Sequence, residues 1–249
     1  MIKVAVCGAS GKMGANIIEL LNGDSQAEYF CGVDPRGGGN GVPVYACFDK
    51  IQAKPDVIID FSSPAVLEEE LAYAVKHQVP TVIGSTGFTP EQLKKIDEAS
   101  KKVAIFRTAN FSLGVNLLCQ LVKRAAETLG ENFDIEVIEK HHSQKVDAPS
   151  GTALMLADSA KAAFEGGKPY LYGREGICGK RGNEIGLHAV RGGTIVGEHD
   201  VLFCGEDEII TLSHSARSKK VFAAGAIKAA KWLADKPAGK YDMGDLLKD

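Results

Sequence analysis

Ile2-Lys3-Val4-Ala5-Val6-Cys7-Gly8-Ala9-Ser10-Gly11-Lys12-Met13-Gly14-Ala15-Asn16-Ile17-Ile18-Glu19-Leu20-Leu21 decides the fold of this 249-residue chain. Ile2 to Cys7 is a short apolar run rich in β-branched residues, the pattern of a strand buried in a parallel sheet. Ala15 to Leu21 reads as a helix. Between them the glycines follow G-x-x-G-x-x-G rather than the commoner G-x-G-x-x-G, with the same physical meaning. Gly8 lets the strand turn sharply, Gly11 lets backbone approach a pyrophosphate, and Gly14 lets the helix pack closely on the sheet. A pyrophosphate would sit at the helix start, against Gly8, Ala9, Ser10, Gly11, Lys12, Met13 and Gly14, because unpaired N–H groups and the helix dipole favour an anion there.

A glycine triplet alone is weak, and its surroundings strengthen it. Glu28 to Val33 reads as a second strand, with Asp34 following 20 residues after Gly14. That is where an acidic side chain hydrogen-bonds the adenosine ribose of NAD. Arg36 has two readings: it reaches a 2′-phosphate and admits NADP, or it is a solvated residue of the glycine-rich stretch 35–41. Residues 55–61, 81–83 and 103–106 are three more strand patterns. Helix patterns follow from about Ala65 and from Pro90 to Lys101. Strands alternating with helices predict an α/β fold with a Rossmann-like, doubly wound parallel sheet. Ligands of such sheets bind outside the carboxyl ends of the strands. Gly84, Ser85 and Thr86 lie at one such end, and Thr108, Ala109, Asn110 and Phe111 at another. Their small residues would admit the nicotinamide half of a cofactor, NADH or NADPH.

The second half has a different texture. Gly114 to Leu129 is a helix pattern, and Phe133 to Glu139 alternates as a half-exposed strand does. Glu139-Lys140-His141-His142-Ser143-Gln144-Lys145-Val146-Asp147-Ala148-Pro149-Ser150-Gly151-Thr152-Ala153 then runs into a helix pattern over residues 152–164. Ser150 is the expected N-cap, which leaves the Gly151 and Thr152 N–H groups at a helix start suited to a carboxylate or phosphate. Two adjacent histidines and a lysine on a polar stretch most often form a solvated loop. Feeding into an anion-binding helix start, they point instead to a site for a negatively charged substrate. Strand patterns at 185–190, 194–203 and 208–214, separated by turn residues, predict a second α+β domain with an open mixed sheet. A last helix pattern spans residues 221–234.

His-His-x-x-Lys-x-Asp-Ala-Pro-Ser-Gly-Thr-Ala resembles the signature of the dihydrodipicolinate reductase (4-hydroxy-tetrahydrodipicolinate reductase) family of the diaminopimelate route to lysine. The segments at 84–87 and 109–112 resemble that family's Gly-Thr-Thr-Gly and Ala-Asn-Phe-Ser runs, which line its nicotinamide pocket; this chain has Ser85 for the first threonine. The resemblance implies hydride transfer from NADH or NADPH to a cyclic, conjugated imine dicarboxylate formed by dehydration of 4-hydroxy-tetrahydrodipicolinate. It implies His141 as acid/base and Lys145 as carboxylate ligand or proton donor, with the final donor left open. His142, Ser150, Gly151 and Thr152 would complete the substrate site. It also implies a discontinuous nucleotide domain, residues 1–111 with 221–249, around a substrate and oligomerisation domain at 112–220, and a homotetramer. An imidazole ordinarily titrates near neutrality, which suits the acid/base role.

Composition is ordinary for a soluble globular protein. Apolar residues make up 45% and charged residues 24%, and the net charge of −3 gives no general attraction to nucleic acid or acidic lipid. No apolar run approaches the ~20 residues that span a membrane, and the first residues lack the pattern of a signal peptide. The six cysteines include no C-x-x-C pair, so a reduced, cytoplasmic protein without a metal site is expected. Two rivals stand beside the reductase. A non-catalytic NAD(P) sensor would leave the His-His-x-x-Lys stretch idle. The other rival is a different Rossmann enzyme, such as an aldehyde dehydrogenase or a homoserine-type dehydrogenase; the former would need an activated cysteine, and Cys119 inside a helix pattern is a poor one.

Overall fold

The computed structural model describes residues 1–37 and 41–248. Gly38, Gly39 and Asn40, from the glycine-rich stretch after Arg36, lie outside them. The chain divides into two compact units, Met1–Ser112 with Lys219–Asp249, and Leu113–Ser218.

The first unit begins with β1 (Ile2–Cys7), α1 (Lys12–Leu21), β2 (Ala27–Val33), β3 (Val44–Tyr45), β4 (Val57–Asp60), α2 (Leu67–His77), β5 (Thr81–Ile83), α3 (Pro90–Ser100) and β6 (Ala104–Arg107). The second holds α4 (Leu113–Leu129), β7 (Asp134–His141), α5 (Gly151–Lys161), β8 (Tyr170–Tyr172), β9 (Ile185–Arg191), β10 (Gly197–Cys204) and β11 (Ile209–Ala216). The chain then returns to the first unit with α6 (Lys220–Leu233), β12 (Gly239–Tyr241) and α7 (Met243–Leu246).

The seven strands of the first sheet run in the order β12-β6-β5-β4-β1-β2-β3, all paired in parallel. The order reverses between β1 and β4, and a doubly wound sheet opens its ligand crevice at such a switch point. Strand residues such as Ile58, Ile59, Ile83 and Ile105 are fully buried, as expected of a sheet covered on both faces. Each such side chain contributes roughly 1.5–3 kcal/mol by leaving water. Helix α3 starts where local chemistry says it should: Thr89 and Gln92 form a reciprocal capping box, with Pro90 in the first turn. Helix α6 can lie against the loop after β6 only because residue 225 is glycine; a Cβ there would stand 1.8 Å from the Phe111 carbonyl oxygen.

The second sheet has five strands in the order β11-β10-β7-β9-β8. It is mixed: β7 pairs in parallel with β9 and antiparallel with β10. Leu118, Val122, Val137, Leu156, Val201 and Phe203 form the core between this sheet and helices α4 and α5.

Boundaries depart from the sequence reading in ways with simple causes. Helix α1 starts at Lys12, not Ala15, so Gly14 lies inside it, with Gly11 as N-cap. Strand β7 runs on to His141, so that histidine sits within the sheet rather than past its end. Strand β10 starts only at Gly197, because the turn at Gly192-Gly193 extends over Thr194. A 3-10 turn, Pro64–Val66, precedes α2. Helix α5 stops at Lys161, three residues short of the pattern. Strands β3, β8 and β12 hold two or three residues each, too few for any periodicity to show.

Candidate active site

At the switch point of the first unit the glycine loop is built to backbone contact. Gly8 has φ +78°, and a Cβ on Gly14 would lie 2.2 Å from the Gly8 carbonyl oxygen. The Gly11 N–H donates to that same oxygen at 2.9 Å. No side chain fits at residue 14, and a left-handed φ at residue 8 favours glycine. A cleft of about 490 Å³ opens here, lined by Gly8, Gly11, Asp34, Arg36, Cys47, Phe61 and Ser62 among others. Ser10 and Lys12 are exposed beside it, Ala9 is buried and Met13 half-buried.

Asp34 and Arg36 meet at the end of β2. The Asp34 carboxylate accepts from the Arg36 backbone N–H and Nε on one oxygen, and from Arg36 Nη2 and the Ser10 N–H on the other, at 3.0–3.1 Å. The Arg36 guanidinium holds the Asp34 carboxyl down to about 2, so Asp34 carries its charge throughout the physiological range. The Arg36 side chain is still 66% exposed, and a Cβ on Gly11 would lie 3.9 Å from its Nη2. The two residues that argued for different cofactors from sequence form one ion pair beside the glycine loop.

Farther along the same strand ends, Ser85 is buried and Thr86 exposed; Thr108 is half-buried, Ala109 exposed, Asn110 and Phe111 buried. Asn110 Oδ1 accepts from the Ser112 N–H at 2.8 Å and fixes that turn. The Phe111 ring packs on Phe61, with centroids 5.4 Å apart.

The second unit gathers a polar cluster around a buried carboxylate. Glu139 is fully buried. Arg191 grips it with two parallel bonds of 2.8 and 2.7 Å, the fork geometry that guanidinium and carboxylate share. His141 Nδ1 lies 2.6 Å from Glu139 Oε2. An ionised carboxylate only accepts, so Nδ1 carries the proton and Nε2 is directed away. The Ser150 N–H donates to Glu139 Oε1 at 3.0 Å, and the Ser150 hydroxyl caps α5 by accepting from the Ala153 N–H. Burial alone would raise the Glu139 carboxyl; Arg191, His141 and the Ser150 N–H outweigh it and hold it below the ordinary carboxylate value.

Sheet register explains the gathering. Glu139 and His141 are two apart on β7 and share its inner face. Arg191 of β9 stands opposite His141, and His199 of β10 opposite Glu139. The His199 ring meets that of His141 edge-on, with centroids 5.2 Å apart. Its Nε2 lies 3.0 Å from the Ser150 hydroxyl. Burial first, and then the neighbouring His141, push His199 down to about 4, so it is neutral at pH 7. Lys145 stands on the turn beyond, its ammonium 2.8 Å from Asp147. His142 is half-buried at the start of that turn, and its carbonyl accepts from the Lys145 N–H. Gly151 opens α5 with nothing within 4 Å of where its Cβ would be, and Thr152 follows half-buried.

The structure therefore brings His141, Ser150 and the start of α5 into one network, with Lys145 on the adjoining turn. Sequence reasoning assigned nothing to Glu139, Arg191 or His199. One signal was present: a glutamate at an inward position of an alternating strand, two before a histidine, is costly to bury unless paired. The partners come from distant strands whose register no local pattern carries.

Residues 2–111 match the family model described as "Dihydrodipicolinate reductase, N-terminus", and residues 114–247 match "Dihydrodipicolinate reductase, C-terminus". A 4-hydroxy-tetrahydrodipicolinate reductase of Caldanaerobacter subterraneus subsp. tengcongensis is 48% identical over 249 residues, covering 100% of this chain and 99% of the relative. One from Clostridium novyi is 45% identical, covering 100% and 99%. Among solved structures, the dipicolinate-bound dihydrodipicolinate reductase from Paenisporosarcina sp. TG-14 superposes with a TM-score of 0.82 at 28% identity, over 97% of each chain. A probable dehydrogenase from Thermotoga maritima, 12% identical with a TM-score of 0.63 over 98% of this chain and 92% of its own, shares the fold.

Proposed function

The chain belongs to the dihydrodipicolinate reductase family, and from that premise we propose that it reduces 4-hydroxy-tetrahydrodipicolinate to tetrahydrodipicolinate, with His141 and Lys145 as its catalytic side chains. The observation that carries the residue assignment is the Glu139–His141 contact of 2.6 Å, clamped by Arg191. A carboxylate that fixes the tautomer and direction of an imidazole is how an acid/base histidine is held ready.

The glycine cradle supports a pyridine dinucleotide: the atoms that a Cβ at Gly8 or Gly14 would strike leave backbone alone to face a pyrophosphate. NADH or NADPH, when bound, supplies the hydride. The protein's residues do the rest. Lys145 and the N–H groups opening α5 hold the two ring carboxylates, with His142 beside them. A substrate carboxylate takes the place of Asp147 on the Lys145 ammonium. Charge spreads through the conjugated ring as it is reduced, and Lys145 stabilises it. One proton must follow the hydride onto the reduced ring: the imidazolium form of His141, steadied by Glu139, would deliver it from Nε2 and be reprotonated by water, the Lys145 ammonium being the other candidate donor. Absorbance at 340 nm, followed with substrate and each cofactor in turn, tests the reading: substrate-dependent decay is expected, and its absence would overturn it.

Cofactor choice rests on the Asp34–Arg36 pair. The exposed guanidinium suits a 2′-phosphate, and the carboxylate suits ribose hydroxyls, so both NADPH and NADH are accepted. Arg36→Ala removes the cation and leaves Asp34 facing the phosphate. Its NADPH affinity should fall about tenfold relative to NADH, the scale of one charge-assisted contact. Titration of both cofactors checks this, and an unchanged ratio would take Arg36 out of cofactor recognition.

Gly197 tests the histidine. A Cβ there would lie 3.0 Å from His141 Nε2 and 3.4 Å from its Cδ2. Gly197→Ala therefore pushes the ring aside, and turnover should fall about tenfold or more, since small misplacements are costly in catalysis. Normal turnover in a folded Gly197→Ala enzyme would place the reactive proton elsewhere.

A homotetramer built through the second sheet, in a reduced cytoplasmic setting, completes the proposal. Exposed Tyr172, Val190 and Ile209 support the first, and six free cysteines support the second. No helix among the described residues is long and apolar enough to cross a membrane.

A further inference from the structure

One buried carboxylate of the first unit has no part in the reading above. Asp60, the last residue of β4, is 1% exposed. Its Oδ1 accepts from the Ser62 N–H at 2.8 Å and the Ser62 hydroxyl at 2.5 Å. Its Oδ2 accepts from the Ser85 hydroxyl at 2.5 Å. The Asp60 carbonyl also takes the Gly84 N–H at 2.7 Å, so the ends of β4 and β5 are joined through both side chain and backbone.

These bonds join two different parts of the strand-end surface. Ser62 lines the cleft that Gly8, Gly11, Asp34 and Arg36 also line. Ser85 belongs to the loop after β5. The space between is filled: a Cβ on Gly84 would lie 2.4 Å from the Phe61 ring, and one on Gly8 would lie 2.8 Å from the Phe61 carbonyl oxygen. Three loops meet at backbone contact, and the Asp60 side chain links two of them. Burying a carboxylate costs several kcal/mol unless donors surround it; Ser62 and Ser85 supply theirs from loops at the ligand-binding edge, and the buried Cys7 thiol at the end of β1 adds another.

We propose that Asp60 is a positioning residue of the nucleotide site, locking the loop after β4 to the loop after β5 so that both present their backbone to the cofactor. The inference rests on the pyridine-nucleotide reading of the first unit. It extends that reading from residues that face the cleft to one that never reaches it.

Titration calorimetry of the full-length protein with NADPH and with NADH is the test. Asp60→Ala frees both serines, and its Kd for both cofactors should rise about tenfold, the scale of a charged hydrogen bond lost. Asp60→Asn should recover part of that, since an amide oxygen still accepts from Ser62 and its NH2 can donate to the Ser85 hydroxyl. Should Asp60→Ala not fold, Ser85→Ala carries the test. It removes one small hydroxyl, should weaken both cofactors several-fold, and should cost less in the Asp60→Asn background, where the amide bonds the Ser85 hydroxyl more weakly than the carboxylate does. Wild-type affinity in folded Asp60→Asn and Ser85→Ala, or full additivity of the two, would overturn the proposal. Failure of the wild type to bind either cofactor would instead overturn the nucleotide reading itself.

Discussion

His141→Ala and Lys145→Ala each lower turnover by about a hundredfold or more, the scale on which general acid–base and charge-stabilising groups act. The two losses should differ in kind. Lys145 sits on an exposed turn, its side chain 21% accessible and paired with Asp147. Its removal should hardly move the thermal midpoint, because substitutions away from buried features stay within about 0.5 kcal/mol. Because Lys145 is proposed both to hold a ring carboxylate and to stabilise the charge that develops on reduction, the KM for the dicarboxylate should rise while kcat falls. His141 is nearly buried against Glu139 and His199, and it should show the complementary pattern, a fall in kcat with KM little changed. His141→Ala leaves Glu139 bonded to Arg191 and the Ser150 N–H, so the variant should fold. Steady-state kinetics at 340 nm read both parameters. Near-normal kcat in either variant would remove that residue from the chemical step, and a pure KM effect in both would place the proton donor elsewhere.

The first unit was legible in sequence for a physical reason. The stretches 57–59 and 82–83 are fully buried in their strands and so are written as apolar runs without polar alternation. Gly8 and Gly14 of the first loop are dictated by contacts that any Cβ would violate. Each is a local constraint and leaves a local trace. The polar cluster of the second unit is only half of that kind. Ser150 could be read as an N-cap because capping is a matter of adjacent residues. Arg191 and His199 lie 52 and 60 positions from Glu139, and what brings them together is the order β10-β7-β9. A sequence shows that strands exist but not which neighbour each takes. Asp60 was hidden differently. It stood in plain view at the end of a strand pattern, but its role depends on Ser85, which reaches it only once β4 and β5 pair.

Glu139→Gln should be the most revealing single change in the second unit. The amide keeps the volume of the carboxylate and discards its charge. Arg191 is then left against a neutral oxygen, and breaking a buried ion pair from one side costs about 3 kcal/mol or more. The amide can also present its NH2 to His141 Nδ1, which favours the other tautomer and moves the lone pair from Nε2. Turnover should fall by about a hundredfold or more although Glu139 is placed to touch His141 and not the substrate. The pH dependence separates this role from simple scaffolding. The Glu139 carboxyl lies below its ordinary value of 4.5 in the folded protein. Its stabilisation is therefore fully present above that value and is lost as pH falls through the lower folded one. Thermal midpoints of wild type and Glu139→Gln should be well separated at neutral pH and converge in acid. A scaffold residue with an unshifted carboxyl would give a separation that does not change with pH, and turnover near that of the wild type would show that His141 needs no partner to face its substrate.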